Sequence, residues 1–204
     1  GRAMNLWTSI LLLWALAAAV QALGWVWQKR RDNAGIVDVI WSFGVGGAAV
    51  LFAVLGDGAL LPRVLLGVLG GAWGVRLGWH LWHRVRHEPE DGRYAHLRAH
   101  WQGNAGKFFG FFQLQALLVP LFALPFAAVA WNTQVRPVWL VLGVAVWLAS
   151  VAGEAVADRQ LARHRANPAM RGRTCRSGLW RYSRHPNYFF EWTHWFAYVA
   201  LAVG

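Results

Sequence analysis

Six apolar runs, near residues 6–28, 34–55, 59–82, 108–131, 137–157 and 186–204, divide the 204-residue chain. Each approaches the roughly 20 residues that a helix needs to cross a bilayer. Runs of this length predict helices rather than strands, so the fold class expected is all-α: a polytopic transmembrane bundle of about six spans. No internal repeat or low-complexity linker interrupts 1–204, which reads as a single transmembrane domain. The first run is followed by Lys29-Arg30-Arg31 and reads as an anchoring span, not a cleaved signal peptide. Pro120 and Pro125 predict a kink or break in the fourth span. In the third connection Pro89 and Asp91-Gly92 mark turns, with a short interfacial helix expected from His96 to Trp101. The fifth span is expected to continue as helix beyond the membrane until Asn167-Pro168 ends it. Gly-Arg-Ala before Met4 reads as an expression remnant.

Composition agrees: 57% hydrophobic residues with only 14% charged excludes a water-soluble domain of this size. A net charge of +11 would suggest nucleic acid, but its placement argues against that partner. Of 20 Lys and Arg, three lie in the first connection, five in the third and eight in the fifth, from Arg159 to Arg184, whereas the second and fourth carry only Arg63 and Arg136. With six spans the odd connections share one side, and the basic bias places them in the cytoplasm. Trp25, Trp27, Trp79, Trp82, Trp131 and Trp139 at span ends fit the interfacial belt. The lone Cys175 excludes an intrachain disulfide, and no spacing supports it as a nucleophile.

Chemistry concentrates in two places. Ionisable or polar groups at membrane depth are Asp38, Arg76, His80, Glu191 and His194, and such residues are functional candidates by default. An ion pair between Asp38 and Arg76 is an equally good expectation for Asp38. The second place begins at Glu154 and Asp158 and runs to Gly178-Leu179-Trp180-Arg181-Tyr182-Ser183-Arg184-His185-Pro186-Asn187-Tyr188 and Glu191. Arg165, Arg173, Arg181 and Arg184 offer forked donors that suit phosphate groups. No Gly-x-Gly-x-x-Gly follows a strand, which excludes a Rossmann site. His83/His87 and His96/His100 have the spacing of ligands on one helix face, but neighbouring arginines and the lack of a His-His pair disfavour a metal, and none is expected.

The Gly178–Tyr188 run resembles the C-terminal signature of the steroid 5α-reductase-like membrane reductases, most closely their bacterial branch. In that family an acidic residue, an arginine seven positions on and another eight beyond line the NADPH pocket. The same offsets fall on Asp158, Arg165 and Arg173, and the family's Asn-x-x-x-Glu step falls on Asn187 and Glu191. The resemblance therefore implies NADPH as cofactor, held by Asp158, Arg165, Arg173, Arg181, Tyr182, Arg184, His185, Asn187 and Glu191. It implies reduction of a C=C bond in a lipophilic, enone-like substrate. The family's acid–tyrosine couple would fall on Asp38 and a tyrosine in the third span. No tyrosine occurs there, which leaves His80, Tyr94 and Glu191 as further catalytic candidates. A bacterial inner-membrane location, membrane lipids as neighbours and a further helix beyond Gly204 also follow from the resemblance.

Two alternatives stay open. Isoprenylcysteine and phospholipid methyltransferases share an Arg-His-Pro-x-Tyr turn and bind S-adenosylmethionine. The extra arginines favour a 2′-phosphate, hence NADPH. An ion- or proton-coupled transport protein is the third reading, with Asp38, Arg76, Glu154 and Glu191 as its path; a dense basic loop without a polar midplane argues against it.

Overall fold

The computed structural model describes residues 5–203, which form eight α-helices and two 3-10 turns. Residues 1–4, where an expression remnant is expected, and Gly204 lie outside the described residues. Two compact units divide the chain, Gly1–Gln134 and Val135–Gly204.

The first unit contains α1 (Leu6–Arg31), α2 (Ile36–Leu55), α3 (Leu60–His87), α4 (Gly92–His100), α5 (Ala105–Phe122) and α6 (Leu124–Ala130). Asn5 caps α1 by accepting a hydrogen bond from the Thr8 amide, and Asn104 caps α5 from the Lys107 amide. At the far end of α1, Asp32 adopts a left-handed conformation, φ 52°, that turns the chain into α2. α2 and α3 cross at glycines: a Cβ on Gly46 would stand 2.7 Å from the Gly74 Cα. Two backbones approach this closely only without side chains, the usual means of tight association inside a bilayer.

Contacts fix an up-and-down order for this unit. At one end Asn33, in the first connection, donates to the Val85 carbonyl near the end of α3, and the Trp25 indole donates to the Ala105 carbonyl at the start of α5. At the other end the Gly58 and Ala59 amides donate to the Ala130 and Asn132 carbonyls. The first and third connections thus share one end, and the second and fourth share the other. The fourth run breaks where its prolines predict: α5 ends at Phe122, and α6 restarts with Pro125 in its first turn, where a missing N–H costs nothing.

The second unit is α7 (Pro137–Ala166), 3-10 turns at Pro168–Met170 and Gly178–Arg181, and α8 (Pro186–Val203). α7 runs as one helix through the expected membrane boundary and ends at Asn167-Pro168, as the sequence predicts. Gly153 lets the ring of Phe190 of α8 lie directly on α7.

Five helices among the described residues are long and apolar enough to cross a membrane, Leu6–Arg31, Ile36–Leu55, Leu60–His87, Ala105–Ala130 and Pro137–Ala166, where six spans are expected. α8 forms over the sixth run, but Asn187, Glu191 and His194 dilute its apolar content. α4 begins at Gly92, earlier than the expected His96, because the Asp91 carboxylate accepts from the Arg93 amide and caps it there. α3 runs on to His87, past its expected end at 82, carrying Arg84 and Arg86 out in its last turns.

Candidate functional site

The first cluster is built where the first and third connections meet. Asp38 lies in the first turn of α2, and the Tyr94 hydroxyl, presented by α4, donates to its carboxylate at 2.7 Å. The Arg93 guanidinium stands 3.6 Å from the same oxygen and also over the Tyr94 ring, 5.2 Å from its centre. Asp38 thus takes its observed partners from α4, and the expected Asp38–Arg76 pairing is not among them. Tyr94 is buried at 5% exposure. Burial, then the charge of Asp38 and the hydrogen bond to it, raise the Tyr94 phenol well above its ordinary value, so it stays protonated at neutral pH. A cavity of about 40 Å³ touches Asp38, Tyr94, Arg84, Asp91 and Arg93, large enough for water at this polar corner.

Two further arginines tie the corner down. Arg98 forms a forked pair with Glu90 at 2.9 and 3.1 Å, donates to Gln28 at 3.0 Å and lies 3.6 Å from Asp32. Glu90 in turn accepts from the Ala34 amide at 2.7 Å. Arg84 bridges Glu88 and Asp91, each at 3.2 Å. Burial pushes the Asp91 carboxyl up, but hydrogen bonds from Arg93 and the charges of Arg93 and Arg84 outweigh it and hold it below the usual carboxylate range. Sequence reasoning did not select Arg93, Glu90 or Arg98. The signal for Arg93 is its place beside Tyr94, after the Asp91-Gly92 turn. His80, another candidate donor, is exposed on α3.

The second cluster lies on α7, the loop after it and the start of α8. Here the signature residues have structural reasons. Gly178 sits at φ +58°, against the Gln160 side chain where a Cβ would collide. The Leu179 amide donates to Gln160 at 2.9 Å, and the Trp180 indole donates to the Ala157 carbonyl at 2.9 Å, fastening the loop to α7. A His164 ring nitrogen lies 2.7 Å from the Arg173 carbonyl oxygen. Asn187 donates to Asp158 at 3.4 Å, which joins two of the residues that the resemblance assigns to the cofactor.

Arg165, Arg173, Arg181 and Arg184 are all exposed, and none forms an ion pair among the described residues. Tyr182 is exposed, and His185 stacks on Tyr188 with ring centres 5.1 Å apart. Glu191 lies one turn beyond Asn187, its carboxylate 3.8 Å from a ring nitrogen of the fully buried His194, which also bonds the Tyr198 hydroxyl. Four forked cations on a pinned scaffold, beside an amide–carboxylate pair, form a donor set whose chemistry fits a dinucleotide phosphate.

The fold and these clusters define an all-helical protein with membrane-spanning segments and charged sites at its helix ends. The chain belongs to the family described as protein of unknown function (DUF1295), whose family model matches residues 24–204. No curated protein and no solved structure matches it.

Proposed function

We propose that the protein is an NADPH-dependent integral membrane reductase, which saturates a C=C bond conjugated to a carbonyl in a lipophilic substrate. The observation that carries this reading is the 2.7 Å bond between Tyr94 and Asp38 beside a water-sized polar cavity. Saturating an enone needs a hydride at the β-carbon, a proton at the α-carbon, and a donor that polarises the carbonyl oxygen meanwhile. NADPH, when bound, supplies the hydride. Tyr94 is the donor: its phenol is protonated at neutral pH, and its one hydroxyl hydrogen, held by Asp38 in the free protein, turns to the carbonyl oxygen when substrate binds. Arg93 compensates negative charge that develops on the phenol oxygen, and the cavity admits the water that delivers the proton to the α-carbon as the enolate collapses to the ketone, the tyrosyl hydrogen staying with Tyr94.

Arg165, Arg173, Arg181 and Arg184 bind the pyrophosphate and 2′-phosphate, while Asn187, held by Asp158, presents its amide to the nucleotide. Tyr182, His185 and Glu191 complete the set that the steroid 5α-reductase-like resemblance assigns to the cofactor. In this reading the basic connections face the cytoplasm of a bacterial inner membrane, where NADPH is available.

The test is a parallel titration of the purified protein in nanodiscs with NADPH, NADH and S-adenosylmethionine. Saturable NADPH binding at least tenfold tighter than NADH is expected, because the 2′-phosphate is the group that additional arginines recognise. S-adenosylmethionine binding without NADPH binding would overturn the reading in favour of a methyltransferase. Binding of none of the three would favour the transport alternative.

A further inference from the structure

The basic end of the first unit holds another candidate site. α1 and α3 both end there, and a cavity of about 730 Å³ is bordered by Trp27 and Arg31 of α1, by Trp82 and Arg86 of α3, and by the connection that follows each helix. The two walls repeat one spacing: each helix carries a tryptophan and, four residues nearer its end, an arginine. Each arginine therefore stands about 6 Å beyond its tryptophan on the same helix face, at roughly 1.5 Å per residue. The two indoles meet with ring centres 6.0 Å apart, and the Arg86 guanidinium lies over the Trp82 ring, 5.6 Å from its centre.

Charge on the wall is unevenly matched. Three carboxylates border the cavity, and each already faces an arginine that is not part of the wall: Asp32 at 3.6 Å and Glu90 at 2.9 Å from Arg98, and Glu88 at 3.2 Å from Arg84. Arg31 and Arg86 are exposed and form no ion pair among the described residues. Two forked cations thus remain for a ligand, and a guanidinium pairs with phosphate oxygens through parallel hydrogen bonds.

The tryptophans narrow the source of that phosphate. Trp27 and Trp82 lie on the membrane side of the arginines, and indoles at span ends sit at the headgroup level. In a phospholipid, acyl chain, glycerol and phosphate follow one another outward. On both walls, apolar helix, indole and guanidinium follow one another in the same order. A free phosphate would need the arginines but not the indoles. A zwitterionic headgroup would add an ammonium, for which the wall keeps no unmatched carboxylate.

We propose that this cavity binds an anionic phospholipid, whose phosphodiester pairs with Arg31 and Arg86 and whose glycerol rests on Trp27 and Trp82. Basic pockets between spans are suited to such headgroups. The site goes beyond the reductase reading and stands independently of it, since it uses neither Asp38, Tyr94 nor the loop around Gly178.

Native mass spectrometry of the full chain in detergent tests it, with phosphatidylglycerol and phosphatidylcholine of identical acyl chains titrated in competition. Phosphatidylglycerol is expected to bind at least tenfold tighter, at one site per chain. Arg31→Gln combined with Arg86→Gln should bring the two lipids within twofold of each other. Lys29→Gln combined with Arg30→Gln removes the same charge from exposed positions off the wall, and should leave the preference within twofold of the unmodified value. Glycerol 3-phosphate, which offers the phosphate without the chains, should not displace the lipid even at hundredfold excess. Equal binding of the two lipids by the unmodified protein would overturn the proposal. Equal losses in the two double variants would do so too, reducing Arg31 and Arg86 to diffuse surface charge. Displacement by glycerol 3-phosphate would overturn it in favour of a free-phosphate site.

Discussion

The corner around Asp38 and the loop around Gly178 use the same residue types in opposite ways. In the corner, arginines are matched by carboxylates of the chain itself: Arg98 with Glu90, Arg84 with Glu88 and Asp91, Arg93 with Asp38 and Asp91. In the loop, an indole and neutral side-chain amides make the fastening bonds, and the four arginines make none to carboxylate. Charge neutralised within the chain holds shape. Charge left over on a fastened scaffold is what the proposed nucleotide site requires, and eight basic residues from Arg159 to Arg184 stand against the single acid Asp158 there.

Variants on the two sides should therefore fail differently. Tyr94→Phe should have the largest effect, lowering turnover by roughly 10²- to 10⁴-fold as loss of a positioned acid does, with NADPH affinity held within twofold. A parallel loss of affinity would erase the division of roles. Arg98→Ala should lower stability by about 3 kcal/mol, since it leaves Glu90 buried without its cation. Thermal unfolding in detergent reads this, and an unchanged midpoint would make the corner as expendable as a surface pair.

Arg165→Ala and Asn187→Ala should each weaken NADPH by about tenfold, the size of one charge-assisted bond, without moving that midpoint. Unchanged affinity in both variants would remove the loop from the cofactor site. The smallest expected effect is at Asp91. Its carboxyl is held below the usual range, so it contributes stability that is fully present above the unfolded-state value and disappears as pH falls through the folded one. Between about pH 5 and 3 the unmodified protein should therefore lose more stability than Asp91→Asn, as linkage requires.

Much of this architecture is legible in the sequence. Long apolar runs dictate helices, and Pro125 and Asn167-Pro168 mark where two of them break or end. Span number is less legible, because the sixth run mixes Asn187, Glu191 and His194 into its apolar residues. Asp158 and Asn187 are legible as members of one set that the resemblance assigns to the cofactor, though not as partners. By contrast, the Asp38–Tyr94 bond joins residues 56 positions apart, and no local period encodes it. Arg93 and Glu90 are invisible for the same reason: their roles depend on how the third connection folds back over the first.

The glycine crossing of α2 and α3 also bears on how the protein is made. Their connection is short, Gly56 to Ala59, so the two helices are neighbours as soon as both have left the ribosome. Backbones that touch at Gly46 and Gly74 gain their contact without waiting for any later segment. The hairpin can therefore settle as a unit before α5 is made, and a bulky residue at either glycine would show as defective biogenesis before it showed as lost activity.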